Sequence, residues 1–201
     1  ADAPACTAST FKAVIALAAL EAGVAVPSSR HRCADAPGGA SREIDMREAM
    51  RHSSNDYFSW LAGRVGAGVV GELAARVGFF EGVPPPDWVG EDPAAVVRGG
   101  VLKVTPRGLH DFSVRLMRGN VASRPAVQEM LEEVLAWPSA IEGLHLYGKT
   151  GAWGGAAWFT GFAERDGVRR AITVMVPYRV PNWRPARGRA IALFLERAEG
   201  R

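Results

Sequence analysis

The sequence predicts an α+β fold, with a helical region first, an antiparallel meander next and one helix packed back on the sheet. Three observations carry that expectation. From residue 10 to residue 140, apolar residues recur at helical spacing, with caps at the starts and Gly or Pro at the ends. Beyond residue 140 the period falls to two, in three runs separated by Gly-rich or Asp-Gly connections. Residues 184–199 return to an amphipathic helical pattern. With 201 residues, 48% of them hydrophobic, the chain can bury a substantial core. It reads as a single domain over 1–201, helical to about residue 140 and then sheet plus final helix from about residue 141.

In chain order, residues 10–22 form a helix rich in Ala and Leu, closed by Gly23 in a left-handed C-cap position. A helix apolar all round is a buried one. Residues 24–42, rich in Pro, Ser, Gly and Arg, read as a surface loop. Asp45 caps a second helix that runs to about Gly63, and residues 69–77 form a third that ends at Gly78. Residues 79–93, with Pro84, Pro85 and Pro86, read as a structured loop. Thr105 followed by Pro106 opens a helix to Met117, stopped by Gly119. Ser123 caps the next, which ends near Trp137 and Pro138. Residues 145–149, 157–164 and 170–176 are the strands, joined by residues 151–155 and by Asp166-Gly167.

Composition excludes several classes. The longest apolar run without a charge, residues 13–20, is far short of a membrane span. The formal charge of +3 is scattered rather than gathered in a polybasic tract. Cys6 and Cys33 lack metal spacing, and the four His complete no ligand set, so no metal or other cofactor is expected. The two cysteines read either as a disulfide or as free buried thiols.

Of the 24 basic residues only Lys12, Lys103 and Lys149 are lysines. Arg serves wherever any cation will do, so the remaining lysines point to chemistry Arg cannot perform, above all loss of a proton. Two of them stand in motifs. In Ser9-Thr10-Phe11-Lys12, the spacing puts Lys12 one turn above Ser9 on one helix face. If burial lowers its pKa, Lys12 can take the Ser9 proton and make a nucleophile. Alone, the motif equally fits a capping Ser and a snorkelling Lys. Ser53-Ser54-Asn55 interrupts a helical pattern with residues that are poor in helix interiors, which suits side chains with another task or a local break. Lys149-Thr150-Gly151 closes a strand with a cation, a hydroxyl and a Gly that allows close backbone approach. The three together, in this order, arise by chance on the order of once in several thousand chains.

The order S-x-x-K, S-x-N, K-T-G resembles the serine penicillin-recognising enzymes: penicillin-binding D,D-peptidases, serine β-lactamases and their sensor domains. The resemblance runs over nearly the whole chain. Ala8-Ser9-Thr10-Phe11-Lys12, Leu102-Lys103-Val104-Thr105-Pro106 and Tyr147-Gly148-Lys149-Thr150-Gly151, followed by Trp158-Phe159-Thr160-Gly161-Phe162, are similar to class D β-lactamases and β-lactam sensors. It implies a β-lactamase/transpeptidase-like fold in which a helical region packs on an antiparallel sheet. It implies Ser9 as the acylated nucleophile, Lys12 as its base and Ser53 as proton relay. By the same resemblance, Asn55 meets the substrate amide, Lys149 and Thr150 meet its carboxylate beside Gly151, and the N–H groups of Ser9 and Ala152 form the oxyanion hole. An Arg on the last helix, Arg187 before Arg184, would assist carboxylate binding.

The chain also departs from the class D pattern. Asn55 stands where those enzymes carry a hydrophobic residue, as in penicillin-binding proteins. The Trp that contacts their carboxylated lysine falls at Val97 here, with Trp88 displaced, and both changes argue against a carboxylated Lys12. No E-x-x-L-N is present, and Glu81, Asp87, Glu91 and Asp92 read as solvated loop acids. Acylation is thus better provided for than deacylation. The leading expectation is a class D-like β-lactamase, with a D,D-peptidase or a once-acylated sensor as alternatives. Family members run tens of residues before the nucleophile and this sequence only eight, so the expected sheet has three strands instead of about five, with an edge for an upstream segment or a second copy to cover.

The implied partners are a β-lactam or a peptidoglycan stem peptide, in the periplasm or outside the cell. A basic binding surface formed by Arg169, Arg170, Arg184, Arg187 and Arg189 is the rival from another class. No nucleic-acid motif supports it, and no nucleic-acid partner is expected. Trp153 and Trp158, flanking the third motif, are candidate cleft-wall residues.

Overall fold

The computed structural model describes residues 3–80, 84–85, 87–89 and 93–200. A strand β1, Ala5–Cys6, paired antiparallel with β4, Lys103–Val104, leads into a 3-10 turn, Ala8–Phe11, and then into α1, Lys12–Glu21. Every α1 residue from Lys12 to Leu20 is buried, as an all-apolar helix requires, and Gly23 ends it at φ 65°. Around α1 pack α2 (Met46–His52), α3 (Asn55–Val65), α4 (Ala67–Arg76) and α6 (Pro125–Leu135).

The sheet has four strands in the order β5 (Ala136–Trp137), β6 (Leu144–Trp153), β7 (Ala156–Arg165) and β8 (Val168–Pro177), all antiparallel. The short β5 is the strand that a three-stranded reading omits. On its other edge β8 has no partner strand among the described residues. Alternation along β7 sends Trp158 and Phe162 into the helical core and Phe159 and Ala163 toward α7, Trp183–Ala198. Phe159 stacks on Phe194 of α7 at 3.9 Å, and α5 (Pro106–Met117) covers β7 and β8 from the opposite face. The mixed helix-and-antiparallel-sheet class expected from the sequence is the one observed.

Four local expectations are corrected. Residues 24–42 are not all loop: β2 (Arg30–Cys33) pairs with β3 (Arg42–Asp45). Only Cys33 and Ile44 of this hairpin are buried, so its sequence carries almost no apolar alternation. The helix that Asp45 caps, through its bond from the Glu48 N–H, does not run to Gly63. It stops at Ser53, which is left-handed (φ 62°, ψ 39°), and restarts behind Ser54 as the cap of α3. Ser123 is no helix cap; its N–H and hydroxyl both donate to the Glu21 carboxylate. Finally, β6 continues through Thr150 and Gly151 to Trp153, leaving only Gly154 and Gly155 as the turn.

Thr105 caps α5 by accepting the Gly108 N–H, with Pro106 at its first position. Cys6 and Cys33 are free thiols. Among the described residues no helix is long and apolar enough to cross a membrane.

Candidate active site

Ser9 lies in the 3-10 turn at the head of α1. Ala8 before it is held at φ 51°, a conformation a non-Gly residue keeps only where its surroundings fix it. The turn is held by Thr7 Oγ, which donates to the Arg98 carbonyl (2.7 Å), and by Thr10 Oγ, which donates to the Thr7 carbonyl (2.5 Å).

Lys12 is fully buried beneath Ser9. Its Nζ lies 3.3 Å from Ser9 Oγ and donates to the Ser53 carbonyl (2.6 Å), Ser53 Oγ (3.1 Å) and Asn55 Oδ1 (2.7 Å). Burial lowers this amine from 10.5 to about 7, with Asp35 opposing and Arg98 adding to the fall. Near neutral pH a large share of the amine is therefore unprotonated, with two N–H groups left for these three acceptors and a lone pair to offer Ser9.

Lys149 is also buried, and its Nζ donates to Ser53 Oγ (3.0 Å) and to the Thr150 carbonyl (2.9 Å). Burial, followed by the charges of Lys12 and Arg187, holds this amine well below the ordinary lysine range. The Ser53 hydroxyl thus sits between two amines. A continuous path of polar atoms runs from Ser9 Oγ through Lys12 Nζ and Ser53 Oγ to Lys149 Nζ. It draws on residues from three separate segments of the chain.

Along β6 the side chains alternate, so Thr150 points away from Lys149 and toward α7. There Thr150 Oγ1 accepts from Arg187 Nε (3.2 Å) and Nη2 (3.1 Å). Gly151 stands where β6 crosses the Ser9 turn. A Cβ at this position would lie 3.0 Å from the Thr10 N and 3.1 Å from the Ser9 N, so a side chain would push the two segments apart.

These residues open on a cleft of about 680 Å³. Ser9, Ser53, Asn55, Thr150, Gly151, Ala152 and Arg187 all line it. Lys12 and Lys149 lie behind that lining. The lining is also apolar in part, with Trp153 56% exposed, Trp183 42% and Val180 77%, so three of the exposed large apolar residues among those described gather at one cleft. Among the described residues the cleft wall carries neither Asp nor Glu. Asp87 is exposed in the loop after α4, and Glu81, Glu91 and Asp92 lie outside the described residues.

Two expectations about aromatic and basic groups separate here. Trp153 lines the cleft, whereas Trp158 is buried and its indole N–H donates to the Cys6 carbonyl (2.9 Å). Arg187 reaches the site, whereas Arg184 is exposed and lies over the Trp183 ring at 5.2 Å. Val97 is in the core, and Trp88 packs on Phe11 with its indole nitrogen beside Gly71 of α4. Arg169 is tied to Glu132 and Glu164, and Arg189 pairs with Glu196.

Sequence reasoning missed His52, Tyr178 and Val180 on the cleft wall, and Asp35 behind it. None lies in a motif, and the proximity of His52 to Ser53 was the only signal available.

Arg187 is the cation of the site that faces the cleft on a rigid fork, suited to a carboxylate. Arg187→Ala is expected to raise the KM for a carboxylate-bearing acyl donor by about tenfold or more while changing the limiting acylation rate much less. Single-turnover kinetics over a range of donor concentrations measure both. An equal fall in the limiting rate at unchanged KM would remove the binding role.

A family profile described as the penicillin binding protein transpeptidase domain matches residues 3–184. A search of curated proteins found no match. Among solved structures, the class D β-lactamase YbXI from Nostoc superposes with a TM-score of 0.78 at 22% identity, covering 98% of this chain and 84% of that one. The class D β-lactamase OXA-427 gives 0.77 at 19% identity, over 98% and 90% of the two chains. A class D β-lactamase from Bacillus subtilis gives 0.75 at 18% identity, over 96% and 81%. At these identities the likeness is one of fold.

Proposed function

This chain belongs to the penicillin binding protein transpeptidase family, and from that premise we propose that it opens β-lactam amides through an ester on Ser9 and releases the ester slowly. The observation that carries the reading is the placement of the buried Lys12 amine 3.3 Å from Ser9 Oγ, braced by Ser53 and Asn55.

Neutral Lys12 takes the Ser9 proton as Oγ bonds to the amide carbon. The N–H groups of Ser9 and Ala152 receive the developing oxyanion, a contribution of about 3 kcal/mol for each donor. Collapse of the tetrahedral carbon breaks the C–N bond, and the proton passes from Lys12 through Ser53 Oγ to the leaving nitrogen. Thr150 and Arg187 hold the carboxylate, Lys149 braces Ser53 and the Thr150 carbonyl from behind instead of meeting the carboxylate itself, and Asn55 meets the side-chain amide. Slow release is supported by the cleft lining, where the described residues offer no carboxylate to activate a water.

A second reading, turnover as a β-lactamase, is favoured by the class D neighbours and by Lys12 itself, whose neutral amine can also activate a water. On either reading we assign the protein to the periplasm or the cell exterior, where its substrates are met, with a peptidoglycan stem peptide as the alternative acyl donor.

Intact-protein mass spectrometry with benzylpenicillin over minutes to hours is the test, with Ser9→Ala as control. A persistent adduct of the whole ligand mass, absent from Ser9→Ala, is the expected result. A transient adduct with accumulating product replaces slow release by β-lactamase turnover. An adduct on Ser9→Ala, or none on the native chain, overturns the acyl-Ser9 mechanism.

A further inference from the structure

Ser53 is the acceptor on which both buried lysines converge, and it is held in a left-handed conformation that a Ser leaves readily unless its neighbours fix it. Its carbonyl takes the shortest bond Lys12 makes, at 2.6 Å. Away from the cleft the turn is held on its α2 side by the Ser53 and Ser54 N–H groups, which donate to the Met50 (3.3 Å) and Ala49 (2.9 Å) carbonyls, and on its α3 side by one carboxylate on the loop after β2. Asp35 Oδ1 accepts from Ser54 Oγ, and Asp35 Oδ2 accepts from the backbone N–H of Asn55 (2.5 Å) and of Asp56 (3.3 Å). The clasp is reciprocal: Asp56 Oδ2 accepts from the N–H of Ala34 (2.8 Å) and of Asp35 (3.3 Å). Asp35 thereby satisfies the open N–H groups at the start of α3, at the positive end of its dipole. The same turn carries Ser53 and Asn55 against Lys12.

We infer that Asp35 is a positioning residue for acylation, acting on Lys12 through the turn at residues 53–55. The inference rests on the reading of Lys12 as the base for Ser9. Asp35 touches neither Ser9 nor the cleft; it is exposed on the far side of the turn. The charged groups that bear on Lys12 are Lys149 from β6, Arg98 from the 3-10 turn Pro93–Arg98, and Asp35. Asp35 is the negative member of this set, and it opposes the loss of the Lys12 proton. It therefore does two things at once: it holds the acceptors of Lys12 in place, and it keeps the amine's titration from falling further.

The chain has only three lysines, so protein grown with ¹³C-labelled lysine gives three Cε signals, and Lys12→Arg assigns the one of interest. In Asp35→Asn the Lys12 titration midpoint is expected to move to lower pH. Acylation by benzylpenicillin, read at a pH above both midpoints, is expected to slow about tenfold. Asp35→Glu, which keeps the charge on the loop but lengthens the arm, is expected to restore the midpoint more fully than the rate. An unmoved Lys12 midpoint in Asp35→Asn overturns the inference, as does a wild-type acylation rate. A slower rate with an unmoved midpoint marks ordinary structural damage and overturns it too. The midpoint is read without substrate, so absence of any acylation in the native chain defeats the proposed function while leaving the action of Asp35 on Lys12 separately measurable.

Discussion

Lys12→Arg is expected to slow acylation of Ser9 by about 10³-fold, within the range that a positioned general base contributes. An Arg can still donate to the Ser53 carbonyl and Asn55 Oδ1 but brings a larger, permanently charged group into a buried site, so the rate is read on variant protein whose circular dichroism and thermal transition show it folded. What is lost is the proton equilibrium. A guanidinium stays charged at every accessible pH and offers Ser9 no lone pair. Lys12 titrates at about 7 because burial disfavours its ammonium form. The sign of the pH dependence follows. Below about pH 7 the amine carries its proton and cannot accept another; above it the amine is neutral and acts as base. Acylation by the native chain should therefore rise with pH through about 7 and level off on the alkaline side. In Lys12→Arg it should be low and flat across the same range. Stopped-flow or quenched acylation rates against pH measure both. A full rate in the variant, or a native profile that falls through pH 7, would remove Lys12 from its role.

Gly161→Ala is expected to cost the fold about 3 kcal/mol or more, the upper part of the range for forced overpacking. Gly161 on β7 faces Gly148 on β6. A Cβ at 161 would lie 1.9 Å from the Tyr147 carbonyl oxygen and 2.6 Å from the Gly148 Cα. Both atoms are backbone of the neighbouring strand, so no rotamer change relieves the clash and the strand pair has to part. For a chain of this size such a loss lowers the melting temperature by about 6–12 °C. The adjacent register pair is Lys149 with Thr160, so the damage reaches the amine that meets Ser53. Thermal unfolding of the variant, with the acylation rate measured well below its transition, checks both effects. A melting temperature equal to that of the native chain would show that β6 and β7 do not approach as closely as this.

The remaining lesson lies in particular residues. The scarcity of Lys, the Ser-to-Lys spacing of three and the Thr-Gly after Lys149 are local facts, so the sequence alone was enough to single out Ser9, Lys12 and Lys149. The helix caps at Asp45 and Thr105 and the period-two runs of the meander are local as well, and the order of elements followed from them. The unsuitability of Ser53, Ser54 and Asn55 for a helix interior was visible too, but not its form. The hairpin of β2 and β3 was invisible because it buries only two side chains and leaves no apolar rhythm to read.

What the sequence determined by itself was thus the set of chemically distinctive groups and the kind of element that bears each. The tertiary structure alone decided which of these groups meet. It chose Arg187 over Arg184, brought Ser53 between two lysines 41 and 96 residues away, and placed Asp35 behind the turn. It also decided that Lys12 is suited to act as a base. The amine's pKa falls because atoms from distant segments exclude water around it, and burial of that kind is written in no local pattern.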